Sequence, residues 1–226
     1  MPVGWLLALL LVGAAPVRGA EAVSVCYNYG CLTSAEVIYS DRQLQQVRAF
    51  LGAARAAADE RQRLSLVIGW LLGWAGQQTP IAADRGGNTE DAGVDGRMDC
   101  IDHSTTTTRL LRLLESRGWL RFHRVLDPEY RVHHLSVHHS AQIEEIGRGG
   151  QAAASTRYYV VDSWFRDNGQ PAVVIALPRW LAGGDETSAD QEAGESQEAG
   201  ESQPAGDENN RRAEAAAGSP GARPGW

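Results

Sequence analysis

The hydrophobic period of this chain changes at Gly118, and that change decides its fold class. Upstream, apolar residues return at helical spacing; downstream they alternate two by two. A first helix is expected from Asp41 behind an N-cap at Ser40, with Leu44, Val47, Phe50, Leu51 and Ala54 as its apolar positions. A second runs from about Asp59 through Leu64, Val67, Ile68, Leu71 and Leu72 to Trp74. Its apolar face is wide, so it should pack on two sides. Gln77-Gln78-Thr79-Pro80 ends it. A third helix spans Asp102 or Ser104 to Arg117, with Leu110, Leu111, Leu113 and Leu114 as its stripe and Gly118 as its stop. Thr105 to Thr108 are poor helix formers, so their presence there predicts packing or hydroxyl bonding specific to that segment. Trp119 to Val125, Val137 to Ile146, Arg157 to Trp164 and Ala172 to Ala176 read as strands. Helices followed by a mostly antiparallel sheet make an α+β protein.

The two ends of the chain stand apart from this pattern. Trp5 to Val12 is an apolar run followed by small residues, and Ala20-Glu21-Ala22 offers a small-x-small cleavage site. Residues 1–22 therefore read as a signal peptide, with a mature start near Val23 and a periplasmic or secreted product. No later segment reads as a membrane span; Leu64 to Ala75 is too short and Arg-flanked. From 183 to 226 the sequence is low complexity, with Gln-Glu-Ala-Gly-Glu-Ser in tandem, and it reads as a disordered tail. The domain between, 23–182, holds 17 acidic residues against 17 arginines, so the formal charge of -7 belongs largely to the tail. A near-neutral domain without a basic stripe excludes strong steering of a charged polymer and gives nucleic-acid binding no support.

Three cysteines narrow the function. In an oxidising compartment Cys26 and Cys31 are the natural local pair, which leaves Cys100 as the odd thiol. Such a thiol is an intermolecular partner, a reactive group or an inert buried cysteine. Cys100 stands where a glycine-rich loop (Asn88 to Gly96) gives way to a helix, in Arg97-Met98-Asp99-Cys100-Ile101-Asp102-His103-Ser104. A cysteine at a helix start faces unsatisfied N–H groups and a positive dipole end, and both favour a thiolate. A histidine in reach stabilises that thiolate and later supplies a proton; a carboxylate behind the imidazole fixes its tautomer. On the next strands stand His138-His139 and Val160-Val161-Asp162. Alternation puts His138, Ser140 and Gln142 on one face and His139, Ala141 and Ile143 on the other. The apolar set belongs with the core, which turns His138 toward Cys100 and makes it the expected base. His103 is expected to cap or pack its helix, and His123 to be an ordinary histidine.

These stretches resemble those of the bacterial transglutaminase-like, papain-like cysteine peptidases. The matching segments are Asp99-Cys100-Ile101-Asp102, His138 to Glu144, and Tyr159-Val160-Val161-Asp162-Ser163-Trp164, within about Gly86 to Leu181. The chain is also similar to exported proteobacterial proteins that share Cys-x-x-x-x-Cys near the mature start, a region like Gly93 to Ser104, and Asp162-Ser163-Trp164-Phe165-Arg166-Asp167-Asn168-Gly169. It departs from the family in reading His138-His139-Ser140 where His-x-Trp is usual. The resemblance implies a transglutaminase-like fold and thiol-dependent acyl transfer, most often amide hydrolysis, without a cofactor. Cys100 would be the nucleophile, His138 the general base and acid, and Asp162 the orienting carboxylate. Peptide or other amide-containing substrates of the cell envelope follow from the compartment. The oxyanion donor would be Gln78 or backbone N–H groups at Cys100.

Two other classes compete. His133, His134, His138 and His139 with Asp99, Cys100, Asp102 and His103 offer ligands for zinc or copper, yet their spacing matches no zinc signature. A non-catalytic exported binding domain with a structural cysteine is the third reading.

Overall fold

The structure is a computed structural model that describes residues 19–133, 136–147 and 157–184. Most of the expected signal segment, the low-complexity tail from position 185, and His134 lie outside the described residues. The helix that begins at Cys100 organises the rest. This helix, α3 (Cys100–Ser116), follows β1 (Glu21–Tyr27), β2 (Thr33–Tyr39), α1 (Asp41–Gly52), α2 (Ala57–Gly76) and a short 3-10 turn (Pro80–Ala83). After it come β3 (His123–Val125), β4 (Glu129–His133), β5 (Ser136–Glu145), β6 (Tyr158–Asp162), β7 (Val173–Ala176) and α4 (Leu177–Leu181). Mixed helices and antiparallel strands make the α+β class expected.

Ser40 starts α1 with a capping box: its hydroxyl accepts from the Gln43 N–H, while the Gln43 side chain accepts from the Ser40 N–H. The wide apolar face of α2 is used twice, as its composition predicted. Leu64, Val67, Ile68 and Leu71 enter the core. Ser65, Gly69, Gly73 and Gly76 leave a flat face against the segment joining β6 to β7. Ser65 donates its hydroxyl to the Ala172 carbonyl at 2.6 Å, and a Cβ on Gly69 would stand 2.6 Å from the Gln170 carbonyl oxygen. That segment is thereby pinned to a rigid helix.

The main sheet runs in the order β3-β5-β6-β7, every pair antiparallel, with β4 pairing the other half of β5. Alternation along β6 splits the interior in two. Val161 joins Ala141, Ile143, Leu110, Leu111 and Leu114 in the principal core, while Val160 joins Val173, Ile175 and Trp180 in a smaller cluster. Each of the three fully buried leucines of α3 contributes about 1.5–3 kcal/mol. Because Asp162 shares the parity of Val160, its carboxylate belongs to the side where α4 places Trp180.

The β1–β2 hairpin is an element that the hydrophobic period did not reveal. Its strands are seven residues each, but β2 fully buries only Val37 and Tyr39, so the apolar signal along it is weak. It begins at Glu21, two residues ahead of the start expected at Val23, and Glu21 pairs with Arg117 at 2.6 Å. The hairpin packs on α3, where Thr106 accepts from the Cys26 N–H at 3.0 Å and Arg109 donates to the Ser24 carbonyl at 3.0 Å. Strands β4 and helix α4 also went unforeseen, the first being exposed and the second only five residues long.

Candidate active site

The start of α3 is over-determined by two aspartates. Asp99 is the N-cap, with Oδ1 accepting from the Ile101 and Asp102 N–H groups at 3.1 and 2.9 Å. Asp102 returns the bond, accepting from the Asp99 N–H at 3.1 Å. The next helical N–H, that of His103, goes to the Asp99 carbonyl at 3.0 Å. Among the described residues no acceptor takes the N–H of Cys100 itself, the one donor this cap leaves over. Its thiol is free and half-buried, with Sγ 3.9 Å from the Val137 carbonyl oxygen on β5.

A disulfide-closed turn docks on the same two aspartates. Cys26 and Cys31 are joined, and the four residues Asn28, Tyr29, Gly30 and Cys31 all have positive φ, at 69°, 66°, 64° and 58°. Such a left-handed turn aims successive N–H groups to one side. Tyr29 and Cys31 donate to the two oxygens of Asp102 at 2.8 and 2.6 Å, and Gly30 donates to Asp99 Oδ2 at 2.9 Å. Burial pushes the Asp102 carboxyl up to about 6; the N–H donors oppose the shift and the charge of Asp99 adds to it.

His138 and Asp162 arrive from adjacent strands. His138 Nε2 lies 2.7 Å from Asp162 Oδ2. The same oxygen accepts from the indole N–H of Trp180 at 3.2 Å, and Oδ1 accepts from the Trp164 N–H at 3.1 Å. Three aromatic rings enclose the imidazole, with centroids at 4.9 Å (Trp164), 5.4 Å (Phe165) and 5.8 Å (Trp180). Burial alone would lower the His138 pKa. Its bonds to Asp162 and to the Cys100 thiol outweigh that and push it up to about 9. With Nε2 held by Asp162, Nδ1 is the nitrogen left for Cys100. The structure therefore pairs His138 with Asp162 and sets the Cys100 thiol close enough to act on the imidazole.

His139 faces the other way, opposite Tyr130 across the β4–β5 pairing, with the rings 5.9 Å apart. His103 packs between Asp84 and Ser163 instead of capping its helix. His123 is a core histidine, bound through Nδ1 to the buried Glu60 at 2.8 Å. Gln78 is not arranged as an oxyanion donor. Its amide is spent on the backbone of Ile38, accepting from the N–H at 2.9 Å and donating to the carbonyl at 3.1 Å. It lies upstream of Cys100 as the resemblance implies, across a long gap, and the β2 edge claims it.

The described members of the ligand set of the metal reading are dispersed. Asp99 and Asp102 hold the helix start, His103 turns to Asp84, and His138 and His139 occupy opposite faces. Among the described residues, the one group with ligating atoms within 4.8 Å of one another is Cys26, Cys31 and Asp102, and those two sulfurs are bonded to each other. Trp180 is the site residue that sequence reasoning missed. Pro178 opening a helical turn just after a strand was its one local signal. Comparison with family models, curated proteins and solved structures found no match to this chain.

Proposed function

We propose that this chain is a thiol-dependent hydrolase or acyl transferase acting on amide bonds, with the transglutaminase-like arrangement its motifs resemble. The observation that carries the reading is the 2.7 Å pairing of His138 with Asp162, beside a Cys100 thiol that helps hold the imidazole protonated. An imidazole held near 9 stays protonated at neutral pH and is the natural counter-ion of a thiolate.

In the proposed reaction Cys100 Sγ attacks the amide carbonyl carbon and forms a C–S bond. The oxygen gains charge beside the unclaimed N–H of Cys100, which serves as a backbone oxyanion donor. Collapse breaks the C–N bond, and the His138 proton leaves with the amine. Neutral His138 then takes a proton from water or a second amine as it attacks the thioester, releasing the acyl product and restoring the thiolate–imidazolium pair. Asp162 keeps Nε2 engaged throughout, so that Nδ1 remains the working nitrogen. The Trp164, Phe165 and Trp180 rings exclude water from the His138–Asp162 bond, which strengthens it.

An envelope peptide or other amide is the proposed substrate class. Export is supported by the Cys26–Cys31 disulfide, and no described helix is long and apolar enough to cross a membrane. The test is the rate of Cys100 alkylation by iodoacetamide in the folded protein at pH 6.5, read by peptide mass spectrometry, beside His138→Ala. Rapid labelling that slows about tenfold or more in the variant supports the reading, as expected when a base activates the thiol. Labelling that begins only on unfolding would replace it with a non-catalytic binding domain.

A further inference from the structure

A second histidine-centred chain, of Asp, His and Ser, lies beside the Cys100-His138-Asp162 set, and it is sealed. His103 Nε2 lies 3.0 Å from Asp84 Oδ2, and His103 Nδ1 lies 2.9 Å from Ser163 Oγ. Ser163 Oγ is in turn 2.9 Å from Thr107 Oγ1. Asp84, His103, Ser163 and Thr107 are 1%, 3%, 3% and 0% exposed, so no substrate reaches the serine. Chemistry by this second chain is excluded on access alone.

Its place in the fold gives it another use. His103 and Thr107 are one turn apart on α3, and His103 follows the nucleophile Cys100 by three residues on the same helix. Ser163 follows Asp162 directly at the end of β6. The chain thus ties the element carrying the thiol to the element carrying the carboxylate. Asp84 adds a third tie, accepting from the N–H of Met98, two residues before Cys100, at 2.9 Å. With the Nε2 proton turned to the carboxylate, Nδ1 is the nitrogen that can accept from the Ser163 hydroxyl, whose oxygen can in turn accept from Thr107. Every member is satisfied, and a satisfied buried network of this kind is rigid and fixes one arrangement.

We propose that His103 and Ser163 are positioning residues, which set the separation between Cys100 and the His138–Asp162 pair. This inference rests on the acyl-transfer reading for its meaning, but its test does not. A small slip of β6 against α3 moves Asp162 away from His138 and both away from Cys100, and misplacements of about 1 Å cost about a hundredfold in rate in other enzymes.

The experiment compares wild type with Ser163→Ala, His103→Gln and the double variant, all carrying the native disulfide. His103→Gln keeps an amide donor for Asp84 and loses the link to Ser163; Ser163→Ala loses the same link from the strand and the bond to Thr107 with it. Thermal melts establish that each variant folds. The first readout is the His138 titration by NMR, expected to fall from about 9 toward 6.5 in either single variant. The second is Cys100 alkylation at pH 6.5, expected to slow about tenfold, with the double variant no worse than Ser163→Ala, which already removes the link that His103→Gln removes. A folded Ser163→Ala protein with an unmoved His138 titration overturns the proposal. Additive effects of the two substitutions overturn it as well. An unreactive Cys100 in wild type counts instead against the acyl-transfer reading, and the His138 titrations still decide the positioning role.

Discussion

Trp180 and His138 share one oxygen of Asp162: the indole N–H reaches Oδ2 at 3.2 Å and the imidazole at 2.7 Å. The carboxylate is 1% exposed, so both bonds form in a dry setting where loss of one leaves a charged group under-solvated. Trp180→Phe keeps a ring over His138 and removes only the donor. It is expected to cost about 1.5–3 kcal/mol of stability, the range for hydrogen bonds to charged groups. Urea denaturation checks this, and an unchanged midpoint would show that the indole bond is incidental.

His138 makes stability depend on pH in a stated direction. Its folded pKa is raised from 6.5 to about 9, so the protonated ring favours the folded state. That contribution is complete below 6.5 and is lost as pH rises through about 9. The difference in unfolding free energy between wild type and His138→Gln should shrink over that window. Urea titrations at a series of pH values measure it; a difference that grows with pH would contradict the assigned pairing.

The candidate site residues were legible in the sequence because each is an unusual residue type near the end of a regular element. A cysteine after Asp99 at a helix start and an aspartate closing a strand need no tertiary information to be noticed. The residues that hold them were not legible in this way. Thr105 to Thr108 pointed to hydroxyl bonding without naming its partners: Thr106 accepts from Cys26 N–H and Thr107 completes the Ser163 chain, partners 80 and 56 residues away. Glu60 drew no notice in the sequence, yet it is fully buried and takes the N–H groups of Arg121 and Phe122 at 2.7 and 3.1 Å. Gln78 failed in the opposite sense, being of the right type but claimed by a strand whose existence the pattern did not reveal. Periodicity reports which face is apolar; it carries no record of which polar atoms meet.

Gly96 supports the approach to Cys100 by lacking a side chain. Its φ is +85°, and a Cβ there would stand 2.2 Å from the Pro80 carbonyl oxygen. Its N–H donates to Asn28 Oδ1 at 2.8 Å, which ties the loop before α3 to the disulfide-closed turn. Gly96→Ala therefore combines a backbone clash with a disfavoured conformation, and a loss above about 3 kcal/mol is expected. Thermal denaturation decides: a melting temperature within a degree or two of wild type would mean that the loop relaxes freely.

The turn from Asn28 to Cys31 needs its disulfide more than a short crosslink usually would. Closing so small a loop accounts for about 2 kcal/mol by chain entropy. Asn28, Tyr29 and Cys31 are L-residues held at φ of 69°, 66° and 58°, each at a cost of about 1–2 kcal/mol. Without the bond, right-handed or extended conformations are favoured, and the N–H groups of Tyr29 and Cys31 swing away from Asp102. The double substitution Cys26→Ser with Cys31→Ser should therefore lower stability by more than the entropic figure. It should also speed amide exchange at Tyr29 and Cys31 and, through the lost support of Asp99 and Asp102, at the first turn of α3. Hydrogen exchange read by mass spectrometry separates these effects. Faster exchange confined to the turn would show that the helix start holds by its own capping box, whereas faster exchange at Ile101 and Asp102 would show that the disulfide reaches as far as Cys100.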